Sequence, residues 1–350
     1  MGVFRAGRIW VVVSCFLVAG CTGGGGSGAQ GRAVARPAAV AQADDLQAAY
    51  QKVIRDVLSS VVQIQAGDGL GSGVVYDGKG HIVTNAHVVG DGRSFRVTTA
   101  GSEDVLPATL VYSYPQQDLA VIRLDRVPGG LKAAAFGDSS KVEVGQIVLA
   151  MGSPLGLSSS VTQGIVSATG RTVSESRSGG GTGATLVNMV QTSAAINPGN
   201  SGGALVDLDG RVIGIPTLAA IDPGLGEGAA APGIGFAIPA STVRTVADQI
   251  VEEGRVTDSG RAALGITGRT VVDAEFQPAG VAVVEVLSGG AADQAGLRAG
   301  DVIIGLGDTA VTSITSLAEA LAEERPGART TVTFTRDGAR RTARVTLGEQ

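Results

Sequence analysis

Cysteine, histidine and aromatic side chains are all scarce in this chain of 350 residues, which has two cysteines, two histidines and an aromatic share of 3%. Each shortage excludes something. Cys15 lies in an N-terminal run that reads as a cleaved segment, so the product keeps Cys21 alone and has no internal disulfide or multi-cysteine metal site. His81 and His87 form no set with carboxylates at zinc spacing, so no metal and no other cofactor is expected. The net charge is -5 and charged residues make up 17%. No lysine or arginine stripe with interleaved aromatics is present, which argues against a nucleic-acid partner. Glycine, by contrast, is abundant at 54 residues, and hydrophobic residues reach 44%. That combination favours turn-rich β structure with sizeable cores in two or more domains.

Arg5 and Arg8 precede the uncharged run Ile9–Gly20, "IWVVVSCFLVAG", which is short for a membrane span but suits the apolar region of an export signal. The stretch "VAGC", Val18–Cys21, resembles the bacterial lipobox. It predicts a signal peptide over residues 1–20, lipidation of Cys21 and attachment to a membrane face outside the cytoplasm. "TGGGGSG", Thr22–Gly28, opens a flexible tether that runs to residue 45.

Apolar residues at Leu46, Tyr50, Val53, Ile54, Val57 and Leu58 recur at helical spacing and predict a helix over Leu46–Ser59. From Val61 onward the pattern becomes short apolar runs between glycine-rich turns. Two successive sets of about six strands predict two small barrels joined near Asp125–Ala135. A stripe of Val243, Val246, Ala247, Ile250 and Val251 predicts a helix over Ala240–Glu253. This all-β double barrel spans residues 46–255, with a boundary over Gly254–Arg261. Residues 262–347 then read as a mixed α/β domain with a short helix, a second helix over Ser316–Glu324 and a closing hairpin. Leu317 and Leu321, four apart, share the buried face of that second helix.

Ser201 stands in "INPGNSGGAL", Ile196–Leu205. A serine hydroxyl is a weak nucleophile and needs a base and a group to orient that base. His87, in "IVTNAHVV", reads as the edge of an apolar strand, and Asp118 opens "DLAVIRL" at another strand edge. Histidine, aspartate and serine therefore occur in the order of two-barrel serine proteases, not that of subtilisins or α/β-hydrolases. The amides of Gly199 and Ser201 are the expected oxyanion donors. Gly199 lets the turn bend, while Gly202 and Gly203 are expected to admit the substrate backbone. His81, in "DGKGHIV", reads as a turn or strand-edge residue, and Asp91 and Asp125 as loop residues. "GSG" at Gly71–Gly73 lacks the lysine and helix of a phosphate loop and is read as tight β packing.

The stretches "TNAHVV", "DLAVIRL", "MGSPLGL", "QGIVSATGR", "AAINPGNSGGALVD" and "GIGFAIP" resemble the HtrA family of trypsin-like serine proteases over residues 46 to 255. Leu264–Leu347 resembles a PDZ domain of the same family. The resemblance implies a chymotrypsin-like double barrel and ATP-independent endoproteolysis of unfolded or damaged proteins outside the cytoplasm, through an acyl-enzyme and in a homotrimer or a multiple of it. It also implies His87 as base, Asp118 as orienting acid and Ser201 as nucleophile. Ile196 and Ile234 would line the S1 pocket and select aliphatic P1 residues. Leu264, Gly265 and Ile266 would bind the carboxylate end of C-terminal peptides beside the Ser316–Glu324 helix. The chain departs from the family at Ser193, where an aspartate is common, and over the polar stretch Ser174–Thr185. Those departures motivate an alternative, a catalytically inactive peptide-binding or quality-control scaffold.

Overall fold

The computed structural model describes residues 38–99, 104–153, 160–174, 182, 184–197, 199–221 and 230–349. The lipobox at Val18–Cys21, the tether up to residue 37 and most of Ser174–Thr185 lie outside the described residues, while residues 38–45, expected to end the tether, are helical. From Asp45 the chain forms one compact unit.

The first barrel is built from β1 (Val61–Ala66), β2 (Gly69–Val75), β3 (His81–Thr84), β4 (Ser94–Thr99), β5 (Val105–Tyr114) and β6 (Leu119–Leu124). It closes in the order β1-β2-β3-β6-β5-β4. Val62, Ile64, Ile82, Val97 and Ile122 alternate inward and fill it. "GSG" serves this packing: a Cβ on Gly71 would lie 2.5 Å from Val88 Cγ1, and one on Gly73 2.6 Å from Ile82 Cγ2.

The second barrel comprises β7 (Ile147–Gly152), β8 (Ser160–Ser174), β9 (Thr185–Thr192), β10 (Ala204–Val206), β11 (Val212–Ile221) and β12 (Ala230–Pro239). Its order is β10-β11-β12-β9-β8-β7. Val148, Val166, Val190, Leu205 and Ile213 fill its interior.

A separate apolar cluster joins the outer faces of the two barrels, through residues such as Leu119, Leu149, Met151 and Ile215. Two helices complete this cluster. The first, α1 (Ala38–Leu58), starts earlier than its periodicity predicts and buries Val53 and Val57. The short helix α2 (Ala86–Val89) follows β3. The long helix α3 (Ala240–Glu253) spans the predicted range, buries Val243, Val246, Ala247 and Ile250, and ends at Gly254 in the left-handed region. Each buried valine or isoleucine among these contributes about 1.5–3 kcal/mol, so the helices fix one barrel against the other and with it the cleft between them.

The C-terminal domain contains β13 (Ala262–Ala263), β14 (Ile266–Val272), β15 (Pro278–Val286), α4 (Ala291–Gln294), β16 (Val302–Leu306), β17 (Thr309–Ala310), α5 (Ile314–Ala322), β18 (Arg329–Arg336), β19 (Ala339–Thr346) and β20 (Gly348–Glu349). Its main sheet runs β14-β15-β16-β18-β19, with β17 on β16 and β13 paired separately to β20. Helix α5 begins two residues before its predicted start because Ser316 is part of a capping box. Its amide donates to the Ser313 hydroxyl at 3.1 Å, and the Ser313 amide donates back to the Ser316 hydroxyl at 2.9 Å. Leu317 is buried on the inner face and Leu321 packs partly against the same core.

Candidate active site

The expectation of a strand edge at His87 is not met: the residue lies on α2, which starts after Asn85. The apolar run "IVTNAHVV" reads as extended, but one helical turn forms there and buries Ala86 and Val89. Asp118 does stand at a strand edge, directly before β6. It ends a 3-10 turn, Pro115–Gln117, at φ 48°, in the left-handed region that aspartate tolerates better than most residues. From that position its carboxylate meets the His87 ring.

The Asp118 carboxylate has no accessible surface. Oδ1 accepts from the His87 amide at 3.0 Å, and His87 Nδ1 lies 3.0 and 2.9 Å from the two carboxylate oxygens. The Thr217 hydroxyl donates to Oδ2, and Asn85 Nδ2 donates to the Asp118 carbonyl at 2.9 Å. An ionised carboxylate only accepts, so the contact requires a proton on Nδ1 and leaves Nε2 as the basic nitrogen of the neutral ring. That is the tautomer a base needs.

Ser201 occupies a turn between β9 and β10. Its hydroxyl donates to the Thr217 carbonyl at 3.0 Å, and its own carbonyl accepts from the Ser72 amide at 2.9 Å. Gly199 adopts φ +101° and Gly202 φ +79°, both disfavoured for residues with a Cβ. The expectation that Gly202 and Gly203 make room for a substrate backbone is corrected by what surrounds them. A Cβ on Gly202 would lie 2.2 Å from the Ser72 carbonyl oxygen, and one on Gly203 2.2 Å from that of Met151. The glycines accommodate the chain's own backbone.

Ile196 is buried and packs on Gly235, where a Cβ would lie 2.4 Å from Ile196 Cγ1. Ile234 is 37% exposed, at the rim. The Ser193 hydroxyl accepts from the Ile165 amide at 3.0 Å. His81 lies away from this cleft with its Nδ1 2.7 Å from Asp77. Thr217, Ser72 and Asn85 touch the site and were missed from sequence. Their partners are distant along the chain, and a lone buried hydroxyl in a strand leaves no local signature.

In the C-terminal domain, Leu264, Gly265, Ile266, Leu287, Leu317 and Leu321 line a cleft of about 630 Å³ between β14 and α5, which Pro115 and Gln116 of the barrel domain also border. The Gly265 carbonyl accepts from the Leu287 amide at 2.9 Å, and the Leu264 carbonyl from the Ala292 amide at 2.8 Å. Gly265 has φ +70°. Beside them the Arg261 guanidinium donates to the Thr185 carbonyl at 3.3 Å, and burial lowers its pKa.

Two closed six-stranded barrels packed on each other define a trypsin-like serine protease, and the last domain has a PDZ-like topology. Residues 71–215 match the trypsin-like peptidase domain family and residues 262–347 the PDZ domain family. Serine protease Do-like HtrA of Lactococcus lactis subsp. cremoris is 39% identical over 303 residues, covering 81% of this chain and 73% of its own. Among solved structures, the serine endoprotease from Yersinia pestis aligns with a TM-score of 0.60 at 34% identity, over 86% of this chain and 98% of that one. The HtrA-type protease AlgW with decapeptide aligns with a TM-score of 0.60 at 29% identity, over 86% and 98%. The chain belongs to the HtrA family, and its activity is that of a serine endopeptidase.

Proposed function

We propose that His87, Asp118 and Ser201 are the base, the orienting acid and the nucleophile. The observation that carries this reading is the His87 ring, pinned through Nδ1 to a carboxylate with no accessible surface. In the first step the Ser201 hydroxyl swings from the Thr217 carbonyl toward His87 Nε2 and attacks a peptide carbonyl as its proton passes to the ring. The buried Asp118 carboxylate favours the imidazolium that forms. Negative charge on the former carbonyl oxygen is met by the amides of Gly199 and Ser201. His87 then protonates the departing amine, and water clears the acyl-enzyme. A serine-reactive phosphonate tests the assignment on protein lacking residues 1–21. Labelling that maps to Ser201 and disappears in Ser201→Ala is expected, and labelling retained in that variant overturns it.

Because the Ser201 hydroxyl points at Thr217, a scaffold with a closed catalytic site is the second reading. Failure of the phosphonate to label under any substrate or peptide condition favours it.

The substrates in this proposal are unfolded or damaged proteins outside the cytoplasm, reached by a homotrimer anchored through lipid at Cys21. Cys21→Ala is then expected to lose membrane retention. Buried Ile196 gives the S1 pocket an apolar wall, with Ile234 at its mouth, so cleavage mapping is expected to return aliphatic P1 residues. Dominance of lysine and arginine at P1 overturns that preference. In the PDZ groove, β14 is an edge strand beside α5. An extended C-terminal peptide adds to that edge, with its carboxylate at Leu264, Gly265 and Ile266. Tighter binding of free than of amidated peptide ends to the Ser201→Ala chain is the expected result.

A further inference from the structure

Ser72 is a residue of β2 in the first barrel, whereas the turn carrying Ser201 belongs to the second. Its side chain has no accessible surface. Its hydroxyl donates to the Gly199 carbonyl at 2.5 Å and accepts from the Ser153 amide at 2.8 Å. Its own amide donates to the Ser201 carbonyl at 2.9 Å. One residue from across the domain therefore grips the carbonyls of both residues whose amides would bind the oxyanion.

We infer that Ser72 is the positioning residue of the oxyanion-binding turn, and that its hydroxyl ties that turn to the Ser153 amide at the end of β7. The inference rests on the reading of Ser201 as nucleophile.

The peptide unit between Gly199 and Asn200 is fastened at both ends, its oxygen by the Ser72 hydroxyl and its N–H by the Asn197 carbonyl at 3.0 Å. Gly199 sits at φ +101°. Glycine has several backbone wells open to it, and its own chemistry does not choose among them. Fastening the unit that follows Gly199 restricts which of those wells it can occupy, and so constrains the direction of its N–H. On the other side of the nucleophile, the bond from the Ser72 amide fixes the peptide unit that follows Ser201.

A hydroxyl has one proton. Since that proton goes to Gly199, the lone pairs of Oγ are what receive the Ser153 amide, and the two bonds form a chain in which each polarises the other. Ser153 directly follows β7, whose last residue presses on the same turn: a Cβ on Gly152 would lie 2.8 Å from Asn200 Cα. The backbone oxygen of Ser72 accepts from the Thr84 hydroxyl at 2.6 Å, three residues before His87. Ser72 thus lies between the base and the oxyanion turn, touching neither Nε2 of the base nor the hydroxyl of the nucleophile.

Deleting an oxyanion donor costs about 10²–10³-fold in kcat. Ser72→Ala leaves the donors present but less firmly aimed, so a loss of about 10- to 100-fold is expected. KM stays within about twofold, because ground-state binding does not use the oxyanion contacts. The affinity of a peptidyl boronate, whose tetrahedral oxygen fills the same position, is expected to fall by a factor similar to that of kcat. A merely structural role lowers the thermal midpoint but leaves kcat and boronate affinity per folded molecule unchanged, and that result overturns the inference. Should Ser72→Ala fail to fold, Ser72→Cys supplies a poorer donor and acceptor of similar shape. An intermediate loss in both readouts supports the inference, and parent values for both overturn it. Activity retained in Ser201→Ala would remove the underlying reading instead. Full activity in Ser72→Ala beside a dead Ser201→Ala removes only the role given to Ser72.

Discussion

His81 meets Asp77 through Nδ1 at 2.7 Å, and His87 meets Asp118 through Nδ1 at 2.9 Å. The contacts are alike, but the burial is inverted. In the first pair the ring is 9% exposed and the acid 27%, while in the second the ring is 22% exposed and the acid 0%. A base must show one edge to the substrate and keep its partner carboxylate out of water, where the interaction is strongest. Only the second pair does so. Their origins differ too. Asp77, in the turn after β2, and His81, the first residue of β3, are four residues apart, and Asp77 also accepts from the amides of Lys79 and His81 at 2.9 and 3.1 Å. His87 and Asp118 are 31 residues apart and meet only when the barrel closes.

The sharpest way to break this comparison is to remove each pair in turn. Asp118→Asn is expected to lower kcat about 10⁴-fold, because an amide favours the wrong ring tautomer. His81→Asn is expected to leave kcat within about twofold. Steady-state cleavage of an unfolded protein substrate distinguishes the two, and comparable losses from both would show that the buried ring also serves catalysis.

Much of this was legible in the sequence. With only two histidines, the order of His87, Asp118 and Ser201 narrowed the proposed triad, and the short apolar runs between glycine-rich turns marked most strands. The contacts that orient those residues were not legible. Thr217 reaches Asp118 across 99 residues, and Ser72 reaches Gly199 across 127, so no local pattern records either bond. Conformation at the site also resisted reading, since the turn at α2 is fixed by what Ala86 and Val89 bury. Gly202 and Gly203 were correctly singled out but for the wrong neighbour, because the sequence does not say which backbone will approach.

The two pairs also differ in the cost of their surroundings. Beside Asp118, both carboxamide atoms of Gln117 and the Oδ1 of Asn85 are buried with no hydrogen-bond partner among the described residues. Gln117→Leu replaces two such atoms with an apolar side chain of similar length, and is expected to stabilise the protein by about 1–2 kcal/mol. Thermal unfolding of the purified variant checks the sign, and a lower midpoint would show that this carboxamide is satisfied in solution. Around His81 the accounting runs the other way. His81→Asn gives up a satisfied bond and is expected to cost about 1 kcal/mol by denaturant titration.

The smallest effect expected is the dependence on pH at Asp77. Burial alone raises its carboxyl pKa, but bonds from the His81 ring and from the His81 and Lys79 amides outweigh that and hold it below the ordinary carboxylate value. A carboxyl whose folded pKa is depressed stabilises the fold above its unfolded pKa of about 3.9, and that stabilisation is lost as pH falls through the folded value. The difference in unfolding free energy between the parent and Asp77→Asn is therefore expected to be constant near neutrality and to shrink below about pH 4. It stays under about 1 kcal/mol because the group is partly exposed and solvent screens it. An asparagine oxygen can still accept from the two backbone amides, so what the variant loses is the charge facing the His81 ring. If the difference persisted unchanged to strong acid, the turn would owe its stability to those amide bonds, and the likeness between the two histidine pairs would stop at their geometry.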